Sequence, residues 1–233
     1  MEYIIILKGQ TGGKNMIKNQ KYIFLYALFA TLIIFNVGIF MGYMLENSRV
    51  NKINNLYLNA EIGILDQLVQ KDAQGILNPS CELLFEENIK FGNRIYEEAL
   101  TIQEYEEANQ MNEDIEYQHK RFDLLRAMFF INSIKIKESC NLDYHIVTYL
   151  YKYNNPTLEQ GSKQKFFSGL LRQVKEKYGD SVILIPMAGD NDIPSINLIL
   201  ETYKIKELPI ILIDEDTTLT EVNTKEDIEK YLD

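Results

Sequence analysis

Hydrophobic positions along this chain change their spacing twice. Tyr22 to Leu45 is an unbroken stretch of 24 residues with no charged side chain. As a helix it covers roughly 36 Å, enough to cross the hydrocarbon core of a bilayer. From Glu46 to Glu138 apolar residues recur at three- and four-residue intervals, the period of amphipathic helices. Ile53, Leu56, Ala60, Ile64 and Leu68 mark a first stripe that fades near Ala73. Leu84, Ile89, Ile95, Ala99 and Ile102 mark a second, from Cys81 to about Gln110, with Asn78 or Ser80 as its cap. Ile115, Phe122, Leu125, Phe129 and Ile136 mark a third, opened by Asn112 with Glu113 and Asp114 in its first turn.

Past Cys140 the pattern shortens to strand-length apolar runs. His145–Tyr151, Ser181–Pro186, Ile210–Asp214 and Thr218–Val222 read as strands. Between them Pro156–Tyr178 and Pro194–Tyr203 read as helices, and Thr224 with Asp227 caps a last helix over Lys225–Leu232. The predicted order is βαβαββα, an α/β domain with its first strands parallel and its last hairpin antiparallel. The division is therefore a tail over 1–21, a membrane helix over 22–45, a helical hairpin or coiled-coil stalk over 46–139, and an α/β domain over 140–233.

Charge refines this division. The formal net charge is −10, yet residues 1–50 hold five basic and two acidic residues, leaving 19 basic against 32 acidic in the remainder. Such a body repels phosphate backbones, which argues against nucleic-acid binding. Four lysines precede the apolar run, whereas Glu46, Arg49 and Lys52 follow it. The positive-inside rule then keeps the N-terminus cytoplasmic and exports residues 46–233. The run is too long for a signal peptide, and Met44-Leu45-Glu46-Asn47 is a poor cleavage site. Tyr22, Tyr26 and Tyr43 are candidate interfacial anchors. Gly38 and Gly42 form a GxxxG spacing that permits a homodimer, though glycine is common in such helices. Gly9 to Gly13-Lys14-Asn15 falls one residue short of a phosphate-binding loop and lacks its hydroxyl. Met16 is a more natural start than Met1. The abundance of Lys, Asn and Ile with no Trp fits an AT-rich prokaryotic genome.

Two cysteines occur, Cys81 at the start of the second helix and Cys140 just past the third. An antiparallel hairpin of two helices of similar length brings those ends together, and an exported domain sits where disulfides persist. The alternative is two unpaired thiols in a helical core. Neither cysteine has a neighbour at C-x-x-C spacing. Glu116 and His119 share the Glu-x-x-His spacing of di-iron bundles, but the motif occurs once and reads as a solvated helix face. No cofactor or metal is expected.

Tyr203-Lys-Ile-Lys-Glu-Leu-Pro209, set before the third strand, resembles the thioredoxin superfamily's Tyr-x-Ile-x-x-x-Pro, which makes Pro209 the match of its cis-proline. The stretch Thr148–Gly161 resembles the family's first strand, reactive loop and helix start. The whole plan is similar to archaeal membrane-anchored thioredoxin-like proteins with stalk cysteines. In those members a Cys-x-x-Cys lies a few residues before Gln-Gly. Counting back from Gln160-Gly161 puts Asn154 and Thr157 in the two cysteine positions. Thiol–disulfide exchange needs a thiolate and a resolving thiol, and neither residue supplies one. Thr157 as a nucleophile would need a base, and His145, the domain's own histidine, begins a strand away from that loop.

The resemblance implies a groove beside Pro209 with free backbone groups suited to an extended peptide. Tyr151, Tyr153, Asn154, Asn155, Leu208 and Pro209 are its expected residues, unless the two tyrosines only cover the domain's edge. The functional expectation is a membrane-anchored protein-binding or scaffolding module of the cell envelope, redox-inactive at this loop. It would act as a holdase or as the inactive partner of an active relative. A thiol–disulfide oxidoreductase using Cys81 and Cys140, and a purely structural stalk, are the alternatives.

Overall fold

The computed structural model describes residues 20–108 and 113–232. The expectations for the first nineteen residues and for the Asn112 cap lie outside the described residues. So do the side chains of Ile53, Leu56, Ala60, Ile102, Ile115 and Glu116. The described residues fall into two compact units divided between Asn55 and Leu56.

Helix α1 runs from Gln20 to Leu77. In the first unit, Tyr22–Ser48 is one helix long and apolar enough to cross a membrane, and all its side chains are exposed. Its few polar groups bond within the helix: Thr31 Oγ1 donates to Ala27 O (2.8 Å) and Asn36 Nδ2 to Leu32 O (2.7 Å). That satisfaction within the segment is what an apolar solvent demands. Gly38 and Gly42 face open space.

The second unit begins in α1 and continues through α2 (Cys81–Ala108) and α3 (Glu113–Cys140). Asn78, at φ 44°, breaks α1, and Ser80 Oγ accepts from Leu83 N (3.3 Å) at the mouth of α2. The two helices form an antiparallel hairpin whose partners climb one helix as they descend the other. Cys81 is bonded to Cys140 with Cα atoms 5.6 Å apart. Asn88 Nδ2 then donates to Ser133 Oγ (2.9 Å), and Phe91 meets Phe129 edge-on. Gly92 lets Phe129 in, since a Cβ there would collide with its ring.

The sheet domain follows the expected element order. Strand β1 (His145–Tyr151) leads to α4 (Leu158–Tyr178), β2 (Val182–Ala188), α5 (Pro194–Thr202), β3 (Ile210–Ile213), β4 (Thr217–Leu219) and a short α6 (Glu226–Glu229). The four-stranded sheet has the order β2-β1-β3-β4, with β1 parallel to β2 and antiparallel to β3, and β3 antiparallel to β4. β1 is central and buried, so its alternate side chains feed two cores. Val147 and Tyr149 join Phe167, Leu171 and Val174 of α4 and Ile228 of α6. Ile146 and Leu150 join Ile196 and Ile199 of α5 together with Phe122, Leu125 and Phe130 of α3.

Three differences from the sequence reading have physical causes. A boundary at 139/140 does not divide the core, because α3 packs on the sheet beside α5. Among the described side chains of α1, Gly63, Ile64 and Gln67 are covered, while Leu68 is exposed. The approach is set by Gly63 against the Arg94 guanidinium and by Asn132 Nδ2 donating to Gln67 Oε1 (2.7 Å). At α6 only the Asp227 half of the expected cap forms: its carboxylate accepts from Asn223 N and Thr224 N, each at 3.0 Å.

Candidate functional site

The candidate site gathers where β1 and β2 end and β3 begins. The chain leaves β1 at Lys152 and turns through Tyr153-Asn154-Asn155-Pro156, with Asn155 at φ 47°. It enters α4 at Thr157. This residue is the helix N-cap: its Oγ1 accepts from Gln160 N (3.2 Å), and Gln160 Oε1 accepts from Thr157 N (3.0 Å). The reciprocal pair is a capping box, with glutamine in the third helical position. Across the gap, the Leu208–Pro209 peptide bond is cis and Pro209 is buried. Gln160 Nε2 lies 3.4 Å from Leu208 O, and the Leu208 side chain covers Gly189. Asn154, Asn155 and Thr157 lie on this loop, and Gln160 and Gly189 connect it to Leu208 and Pro209.

The backbone amides of the loop are engaged from Lys152 to Asn154. Lys152 N donates to Gln164 Oε1 (3.1 Å), and Gln164 Nε2 donates to Lys152 O (3.1 Å). The Asp190 carboxylate accepts from Tyr153 N (2.7 Å) and Asn154 N (2.8 Å). Asn154 Nδ2 in turn donates to Asp190 O (3.0 Å) and to Asn191 Oδ1 (3.1 Å). These amides are unavailable to stabilise a developing oxyanion, which removes the usual contribution of such a loop to acyl transfer.

Behind the loop lies a carboxylate from another helix. Asp123 of α3 is completely buried, with Oδ2 accepting from Asn191 Nδ2 (2.7 Å) and Oδ1 from Ala188 N (3.2 Å) and Arg126 Nη1 (3.2 Å). Burial pushes the Asp123 carboxyl above its ordinary range, and the Arg126 charge and the two N–H donors only partly offset it. Arg126 also faces Tyr151. The polar chain Asp123–Asn191–Asn154 therefore ties α3 to the β1–α4 loop.

The two tyrosines are less open than a contact surface requires. Tyr151 stacks on Tyr149 with ring centroids 5.7 Å apart, and Tyr153 lies on His119 at 4.0 Å. Both are half-buried. His119 is likewise no solvated histidine, because its ring packs on the loop. Sequence reasoning missed an outward residue here: Leu158, in the first turn of α4, is 90 % exposed. It also missed Asp123 and Asp190, whose local sequences read as a helix-face charge and a turn.

His145 is remote from the loop. β1 rises about 3.3 Å per residue, so His145 sits roughly 20 Å from Tyr151. It is committed to Asp214, with Nδ1 2.6 Å from Oδ2. Lys137 Nζ (2.7 Å) and Ile146 N (2.9 Å) donate to Asp214 Oδ1. Burial alone would raise the Asp214 carboxyl, but Lys137, the Ile146 amide and His145 outweigh it and hold it below the ordinary range. Cys140 lies five residues before His145, so the disulfide belongs to this opposite end of the sheet. Among the described residues no cluster of His, Cys, Asp or Glu is arranged to hold a metal. Comparison with family models, curated proteins and solved structures gives no match to this chain.

Proposed function

We propose that this chain is a single-pass membrane protein whose thioredoxin-like domain binds extended polypeptide segments in the cell envelope. No thiol chemistry takes place at its β1–α4 loop. The observation that carries this reading is the commitment of that loop: Asn154 bridges to Asp190 and Asn191, and Thr157 caps α4. A hydroxyl engaged as a helix cap is a poor nucleophile unless a base activates it. The strand order, the parallel β1–β2 pair and the antiparallel β1–β3 and β3–β4 pairs support the thioredoxin-like reading. The lysines before the apolar segment support an exported domain.

Binding would use the exposed Leu158 together with the Leu208–Pro209 edge, an apolar contact beside the polar loop. The full-length chain in detergent micelles, mixed with a fluorescent reduced and carboxymethylated polypeptide, should bind with micromolar affinity. Leu158→Asp should weaken this at least about fivefold, by removing buried apolar area and adding charge. A protein-disulfide reduction assay should give no turnover. Failure of the wild-type chain to bind would overturn the binding reading and leave a structural stalk.

A second reading has one observation in its favour. Cys81 is exposed in the first turn of α2, where a helix N-terminus stabilises a thiolate once the bond is opened. Turnover in the reduction assay that Cys81→Ser abolishes would establish that reading instead.

A further inference from the structure

We propose that the α1 segment Leu58–Ile76 is the seam of a parallel two-stranded coiled coil between two copies of this chain. Leu58, Ile62, Leu65 and Val69 follow one another at intervals of four, three and four residues, and each is 56–65 % exposed. Ile76 continues the register seven residues on and is also exposed. Exposed apolar residues in a seven-residue repeat along one helix are the signature of an unfilled coiled-coil seam. The register assigns β-branched Ile62, Val69 and Ile76 to one core position. Leu58 and Leu65 take the other, with Asp72 third in that series. β-branched residues at the first position with leucine at the second favour two parallel strands. Leu68, also exposed, widens the stripe on one side.

The opposite side of the helix is already in use. Gly63 faces Arg94, Ile64 packs against the hairpin core, and Gln67 accepts from Asn132. The seam therefore points away from the chain's own hairpin, and an outside helix must fill it. A second copy is the occupant the pattern specifies, because each layer then meets its own residue. The membrane-anchor reading supplies the rest: two copies held on one bilayer face lie parallel, in register and at high effective concentration. A seam this short needs that help, since isolated short helices pair weakly in water. The flanks oppose pairing. Glu61 of one copy meets Asp66 of the other across the seam, so salt should strengthen the dimer.

The test uses the full chain, whose two native cysteines are already paired. In detergent or in membranes, Leu65→Cys and Val69→Cys should each form disulfide-linked dimers under mild oxidation. Both should do so at least about tenfold faster than Gln70→Cys, on the occupied side of the helix. Leu65→Asp with Val69→Asp should turn the solubilised dimer into a monomer without loss of helicity. Raising salt from about 50 to about 500 mM should tighten the wild-type dimer several-fold. Equal cross-linking at all three positions, a wild-type monomer, or a dimer that survives the double aspartate variant would overturn the proposal. Loss of dimer in Gly38→Leu with Gly42→Leu but not in the aspartate variant would place the contact in the membrane segment instead. Carbonate extraction separates the two readings. A chain that leaves the membrane yet still cross-links at 65 and 69 refutes the anchor and keeps the seam.

Discussion

The two ends of β1 solve the same problem in opposite ways. At each end a carboxylate from a different element accepts a backbone amide and faces a cation from α3. At the loop end the pair is Asp123 with Arg126, and at the far end it is Asp214 with Lys137. Asp123 is sealed from water and its carboxyl is pushed up, while half-buried Asp214 is held down. Depth decides the sign: close to water the Lys137 charge and the hydrogen bonds from Ile146 N and His145 outweigh desolvation, whereas in the core one arginine and two N–H donors do not. The far end is a clamp reinforced by the disulfide. The loop end is a buried polar network whose outermost member is Asn154, so whatever touches Asn154 is coupled to α3.

Removing the covalent part of the clamp should have the largest effect. The Cys81–Cys140 bond spans 59 residues, and Cys81→Ser with Cys140→Ser should destabilise the chain by about 4 kcal/mol on chain-entropy grounds, read by urea denaturation. A loss confined to the hairpin, with the sheet still folded, would break the idea that α3 and the sheet share one core. Asp123→Ala should cost about 3 kcal/mol, because it strands the buried Arg126 and leaves Asn191 and the Ala188 amide without their acceptor. Hydrogen exchange should also accelerate at Tyr153 and Asn154. An unchanged rate there would separate the loop from α3.

pH should then part the two ends. As pH rises above about 3.8, where the unfolded Asp123 ionises, the folded chain with its raised value loses stability until that value is passed. Asp214 behaves in reverse. Its contribution is present above about 3.8 and is lost as pH falls through its lower folded value. Asp214→Asn should therefore cost about 1–2 kcal/mol at neutral pH and almost nothing in strong acid, measured as thermal stability across pH. The smallest effect is at the cap. Thr157→Ala should cost about 1 kcal/mol, whereas Thr157→Ser should be nearly neutral.

The elements were legible because their periods are strong. The buried run His145–Tyr151, the α4 stripe and the two hairpin helices follow directly from apolar spacing. The loop at 153–157 and the proline edge could also be located. The partners of the loop could not. Asp123 stands between Phe122 and Leu124 in a helix that also carries exposed charges such as Lys135 and Glu138, and no local signal tells a buried carboxylate from an exposed one. Asp190 looks like any turn aspartate until the fold places it under two amides. On α1, the apolar stripe met the packed side at Ile64 but ran on to exposed Leu68, because the approach there is set by the smallness of Gly63 and the amide of Gln67.

Gln164 has a consequence for the solubility of the molecule. Its side-chain amide gives and takes one hydrogen bond with Lys152, as the backbone of an adjoining strand would. Residue 152 therefore offers no docking rung to a stray extended chain just where the central strand leaves the sheet. Natural sheets guard such exposed backbone with charge, proline or a bulge. Here one glutamine serves as the guard. Its replacement by leucine, in a protein that still folds, should appear first as aggregation at high concentration rather than as a change in melting.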